Sequence, residues 1–251
     1  MKKKYVWLTG LILLFAFFLA TAIPVTHQRK ATTPPRKQAV TATLPEYNIK
    51  AKNLYQALGL ASKGLQWETF QKALHGFFRL NQEGLVKNPI LTIADMSQPS
   101  FKRRLYIIDM ISNKLLINTL VAHGRNSGVV TAAKFSNTPE SLQSSLGFYI
   151  TGDTYEGTNG YSMRLKGMEK GFNDQAENRA IVMHGAPYVS EEMARKSGRI
   201  GRSWGCPAVS LKEHQQIINL VKNGSCLFVF APQKQYLAHS VLSADDSHVA
   251  L

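Results

Sequence analysis

Cys206, one of only two cysteines in the chain, lies in the stretch "GRSWGCPAVS" at residues 201–210, held between a glycine and a proline. A cysteine that fills a core is usually embedded in an apolar run, whereas one fixed at a bend is presented to something. A thiol with an ordinary pKa of ~8.5 is mostly protonated at neutral pH and reacts slowly. A neighbouring imidazole that takes its proton leaves a thiolate–imidazolium pair, which is an acyl-transfer nucleophile. The attacked carbonyl then needs donors aimed at its developing oxyanion. Gly205 allows a turn in which its own N–H and that of Cys206 converge. Pro207 biases Cys206 towards an extended backbone and removes an amide that would otherwise need a partner. Ser203 is the next candidate nucleophile in the same turn. Cys226 opens the apolar run "SCLFVF" and reads as a core residue.

Seven histidines are available to supply the imidazole. His27, His239 and His248 lie in polar segments, and His75 and His214 fall on helical patterns. His123 and His184 each end an apolar strand and precede a glycine, in "LVAHGRNSG" and "IVMHGAPY". A histidine at a strand's exit projects into a cleft while the sheet fixes its position. Two other uses of these residues compete. Cys206, His123, His184 and a carboxylate are a conceivable zinc set, but no Cys-x-x-Cys, no His-Glu-x-x-His and no paired ligand spacing accompanies them, so neither a metal nor a cofactor is expected. A Cys206–Cys226 disulfide would instead staple a non-catalytic module.

These residues need a scaffold, and from residue 90 the texture is one of short apolar runs broken by turns. "ILTIADM", "RLYIIDM", "KLLINTLVAHG", "LGFYITGD", "AIVMHGA" and "SCLFVFAP" read as strands, with a hairpin at "SNK", residues 112–114. One helix interrupts them at 210–224, with Ser210 and Glu213 as its capping signature and Asn223-Gly224 as its stop. Upstream, Trp67, Phe70, Leu74, Phe77 and Phe78 recur at steps of three and four, which predicts a core-facing helix. The fold class is therefore β-rich α+β, with a helical segment over 47–89, a β-rich domain over 90–235 and a flexible tail over 236–251.

The N-terminus sets the compartment. Residues 1–22 combine three lysines, an apolar run from Val6 and the small-x-small sequence Ala20-Thr21-Ala22, the pattern of a signal peptide. The run is also nearly long enough to be an uncleaved membrane anchor. Either way the remainder is exported, to a periplasm or cell envelope, and touches a membrane only through this segment. Residues 23–46, rich in Thr, Pro and Lys, read as a disordered linker. The net charge of +14 falls to +11 without Lys2, Lys3 and Lys4. No nucleic-acid motif accompanies that charge, so the expected partner is an anionic envelope polymer.

"HGAPYVSEEMARKSGRIGRSWGCPAVS" resembles the catalytic segment of the L,D-transpeptidases of bacterial cell walls. In that family a His-Gly pair precedes a Ser/Thr-x-Gly-Cys motif by under two dozen residues, and His184-Gly185 and Ser203-Trp204-Gly205-Cys206 stand in those places. The wider run, with "HGRNSG" and "SLQSSLGFYITGDTY", resembles the murein L,D-transpeptidase catalytic-domain branch. The resemblance implies a β-sandwich or barrel catalytic domain with a capping helix. It also implies a two-step acyl transfer on peptidoglycan stem peptides: Cys206 forms a thioester, His184 moves the proton, and D-alanine leaves. The acceptor is then a second stem peptide, a wall-anchored lipoprotein, or water, as in an L,D-carboxypeptidase. Two departures are visible, Trp204 where many members have histidine and Ala208 where many have arginine. Arg199 and Arg202 are candidates to bind a stem-peptide carboxylate in compensation. His123 and Gly185 are placed with Trp204 among the substrate-contacting residues.

Overall fold

The structure, a computed structural model, is described for residues 44–244, with side chains from Tyr47 onward. The signal or anchor segment, all but the end of the linker and the last seven residues of the tail lie outside the described residues. Helix α1, Leu44–Ala57, starts inside the segment read as linker. Its Tyr47, Ala51 and Tyr55 recur every fourth residue and are buried, the spacing that aligns side chains on one helix face. Helix α2, Trp67–Gln82, buries Phe70, Ala73, Leu74, Phe77 and Leu80, with Trp67 and Phe78 half-buried at the edges of the stripe.

Eight strands follow: β1 Ile90–Asp95, β2 Leu105–Asp109, β3 Lys114–Thr119, β4 Gly147–Gly157, β5 Gly160–Gly167, β6 Val182–Ala186, β7 Ala208–Ser210 and β8 Cys226–Phe230. They form one mixed sheet in the order β3-β2-β1-β8-β4-β5-β6-β7, curled as a half-barrel. Two pairings are parallel, β1 with β8 and β6 with β7; the others are antiparallel. Three short helices complete the fold: α3 Glu191–Ser197, α4 His214–Val221 and α5 Lys234–His239. The β-rich α+β class expected from the sequence is the class observed.

Helix α2 lies on β1 and β8. The approach is close because residue 76 lacks a side chain: a Cβ there would sit 2.1 Å from the ring of Phe148, which stacks on Phe228 with centroids 4.1 Å apart. The helical segment thus shares one hydrophobic core with the sheet.

Two local expectations are corrected. The helix expected from residue 210 begins at His214. Ser210 belongs to β7, and its hydroxyl donates to Glu213 Oε2 at 2.7 Å, as does Thr119 Oγ1 at 2.8 Å. A capping serine must instead accept from a backbone N–H. The segment after 235 is not loose as far as it is described. Tyr236 is buried and donates to Glu169 Oε2 at 2.9 Å, Ser240 donates to Glu169 Oε1 at 2.5 Å, and Ser243 is buried.

Candidate active site

The turn before β7 is built by Ser203. Its hydroxyl donates to Cys206 O at 2.6 Å and accepts from Gly205 N at 3.1 Å. Gly205 has φ of +130°, a region that L side chains rarely adopt, and a Cβ there would lie 2.8 Å from Gln143 O. Ser144 Oγ donates to Gly205 O at 3.1 Å. The Gly205 amide is therefore spent inside the turn, which corrects the expectation that it would converge on an oxyanion. The Ser203 hydroxyl is likewise engaged on both sides, so it is a turn-former and not an alternative nucleophile.

Cys206 is half-buried. Its sulfur accepts from Val182 N at 3.5 Å and donates to Ala180 O at 3.8 Å. Parallel strands β6 and β7 pair His184 with Ala208, so extending the register by two residues sets Cys206 opposite Val182, next to the bond that joins them. Alternation puts Val182 and His184 on one face of β6. Cys206 thus stands on the segment next to β6, two residues ahead of Ala208, the partner of His184. Neither of the sulfur's two hydrogen bonds is to the imidazole.

His184 is buried, and its Nδ1 lies 2.9 Å from Gly185 O. A carbonyl only accepts, so Nδ1 carries the proton and Nε2 holds the free lone pair of the neutral ring. Burial pushes the His184 pKa below its ordinary value; the Gly185 carbonyl opposes this and nearby His214 adds to it. Burial pushes the Cys206 thiol up, while the Val182 amide, Arg179 and its own amide pull it down. Both effects favour the uncharged pair in the resting site.

The remaining expected residues fall elsewhere. His123 is fully buried and uses both nitrogens: Arg104 Nη2 donates to Nδ1 at 2.8 Å, and Nε2 donates to Gly128 O at 3.2 Å. Burial, then Arg104, hold its pKa down to about 4. It cannot contact substrate from there; instead its carbonyl accepts from Ser203 N at 3.0 Å and fixes the cysteine turn. Gly185 is also structural, since a Cβ on it would strike the His214 ring at 2.7 Å. Arg202 Nη1 donates to the carbonyls of Arg125 and Gly128, tying two loops together, and Arg199 reaches only Ile200 O at 3.5 Å. Trp204 is 72% exposed beside the cysteine and is free to meet a ligand. Cys206 and Cys226 are both free. Cys226 is buried on β8, with β4, β5 and β6 between it and β7, so the stapled-module reading is overturned. Among the described residues no group of three or more His, Cys, Asp or Glu side chains is placed to hold a metal ion.

Sequence reasoning missed three residues. Arg104 is fully buried and donates to Gln98 O, Val121 O and His123, which fixes the strand exit ahead of "HGRNSG". Tyr188 packs against Gly201, and burial, then the Cys206 sulfur, raises its pKa to about 12. Arg179 lies against Gly205. The signal for Arg104 was a basic residue, last of the run Lys102-Arg103-Arg104, abutting an apolar strand; Tyr188 and Arg179 carry no local signal.

The L,D-transpeptidase catalytic-domain model matches residues 61–230, and the chain belongs to that family. The match takes in α2, upstream of the boundary expected at residue 90. Among solved structures, the chain is similar to an L,D-transpeptidase from Mycobacterium smegmatis, at 14% identity and a TM-score of 0.35, over 57% of this chain and 59% of that one. It is also similar to an Enterococcus faecium L,D-transpeptidase, at 13% identity and a TM-score of 0.33, over 58% and 50%. An L,D-transpeptidase from Stackebrandtia nassauensis is matched at 12% identity and a TM-score of 0.33, over 73% and 77%. The chain thus spans less than two thirds of the first of these structures. No curated protein matches the chain.

Proposed function

We propose that the protein is an exported cysteine acyltransferase that acts on peptidoglycan stem peptides, with Cys206 as nucleophile and His184 as base and acid. The observation that carries this reading is the Nδ1 contact of His184 with Gly185 O, which leaves Nε2 as a free base one strand from the only half-buried thiol. In the first step Nε2 takes the thiol proton and Sγ attacks the carbonyl between the diamino acid and the terminal D-alanine. The amide of Cys206 supplies a donor to the oxyanion. As the tetrahedral adduct collapses, the imidazolium returns its proton to the departing amine, D-alanine leaves and a thioester remains. An acceptor amine then attacks the thioester, its proton passes to His184 and the thiol is regenerated. The family match supports this reading, as does the net positive charge of the chain, which suits an anionic wall. A leader segment at residues 1–22 fits the same setting.

Intact sacculi incubated with the protein, digested and analysed by mass spectrometry test the proposal. New cross-linked dimers, lost with Cys206→Ala, are expected. Release of D-alanine with no dimers identifies a carboxypeptidase instead, and a lipoprotein-linked muropeptide identifies an anchoring enzyme. No change in any muropeptide would sink the acyl-transfer reading.

A further inference from the structure

Arg179 stands three residues ahead of β6, and both arms of its guanidinium are committed. Nη1 donates to Ser136 O at 2.6 Å and to Ser145 Oγ at 2.5 Å; Nη2 donates to Gln143 O at 2.7 Å and to Ser141 Oγ at 3.1 Å. All four acceptors are neutral, so no carboxylate cancels the charge. A buried Nε without a hydrogen-bond partner completes the group. The fork clasps residues 136–145, where Glu140 and Leu142 hold φ of 59° and 56° without being glycine, a conformation that persists only where the surroundings enforce it.

The clasp closes over the cysteine turn. A Cβ on Gly205 would lie 2.8 Å from Gln143 O and 3.4 Å from Arg179 Nη2, and Ser144 Oγ holds the Gly205 carbonyl. The next residue, Ala180, has φ of 51° and turns its carbonyl to the Cys206 sulfur. One side chain therefore joins the "SLQSS" stretch, the approach to β6 and the residue before the cysteine. On the acyl-transfer reading above, negative charge develops first on the sulfur and then on the substrate oxygen, both next to this cation.

We propose that Arg179 is a positioning residue for Cys206 chemistry: its fork pins residues 136–145 over the cysteine turn, and its uncancelled charge favours the ionised sulfur and the oxyanion that follows. Of the other titratable groups, Tyr188 interacts with the sulfur and Tyr149 with Arg179, while His184 lies on neighbouring β6. Burial keeps both tyrosines protonated at neutral pH, so Arg179 is the permanent charge of this group.

The test is the pH dependence of Cys206 alkylation by iodoacetamide in the full chain, read by peptide mass and followed without any wall substrate. Arg179→Gln is expected to raise the midpoint by about one unit or more, with roughly tenfold slower alkylation at fixed pH below it. Arg179→Lys, which keeps the charge and loses the fork, should fall between Gln and the wild type. An unchanged midpoint in Arg179→Gln overturns the proposal, and so does a lysine variant as displaced as the glutamine variant. If Arg179→Gln does not fold by circular dichroism, Ser141→Ala with Ser145→Ala loosens the fork while keeping the charge. A raised midpoint then supports the proposal and an unchanged one overturns it. Because alkylation needs no acyl donor, this result stands apart from the muropeptide assay.

Discussion

At the residue scale the site turns on two shifted groups. Burial moves the His184 pKa below its ordinary 6.5 and the Cys206 thiol above its ordinary value. A neutral imidazole is the competent base, so kcat/KM is expected to rise with pH through a midpoint below 6.5 and to be level by neutrality. A pH–rate profile measured by D-alanine release checks this, and a midpoint above 6.5 would count against His184 as the base. Cys206→Ala should abolish release while leaving the melting temperature nearly unchanged, because the sulfur makes only two long hydrogen bonds. Cys206 drew notice because it stands at a bend between a glycine and a proline, and His184 because it ends an apolar run before a glycine. His123 carried the same local signature and proved to be a buried partner of Arg104. What separates the two histidines is a cation 19 residues upstream, and that pairing exists only once β2 and β3 are in register.

At the element scale the apolar runs were readable because most strands bury both faces and so appear as continuous hydrophobic stretches. Strands β5 and β7 were not readable. "GYSMRLKG" alternates buried Ser162, Met163 and Leu165 with exposed Arg164 and Lys166, and β7 has three residues. The α4 start was misplaced because Ser210 and Glu213 do bond to each other, but through side chains between a strand and a helix. The contact of α2 with the sheet yields a prediction. Alanine is the better helix former by about 1 kcal/mol, so Gly76→Ala would stabilise an isolated helix. Here the added methyl meets the Phe148 ring at 2.1 Å, and Phe148 is held by its stack on Phe228. Overpacking of a fixed core costs about 1–3 kcal/mol, so the clash wins and the variant should be less stable in urea unfolding. A gain in stability would mean that α2 does not seat on β4 through Gly76.

At the scale of the whole molecule, two buried titratable groups, His123 and Glu169, act on stability with opposite signs. His123 ties the "HGRNSG" loop to Arg104 and Ser203. Its pKa is about 4 when folded, against 6.5 when unfolded. The unfolded chain binds the extra proton as pH falls from 6.5, so stability is lost through the window down to about 4, approaching roughly 3 kcal/mol. Glu169, bonded to β4, anchors Tyr236 and Ser240 and takes the amide of Phe148 at 2.8 Å. Burial raises its pKa above 4.5, so the folded chain holds a proton that the unfolded chain gives up, and stability falls as pH rises through the folded pKa. The two slopes oppose each other in the wild type, and a single stability-versus-pH curve would conceal both. They separate by variant. His123→Gln preserves an acceptor for Arg104 and a donor for Gly128 but cannot titrate, so its stability should exceed the wild-type trend increasingly below pH 6.5. Glu169→Gln should remove the decline above pH 4.5. Tyr236→Phe leaves one oxygen of Glu169 short of a donor and should cost about 1–3 kcal/mol where Glu169 is charged. That cost should shrink in the Glu169→Gln background, because the charge makes the missing donor expensive. Equal costs in the two backgrounds would show that the C-terminal segment is held by apolar packing alone.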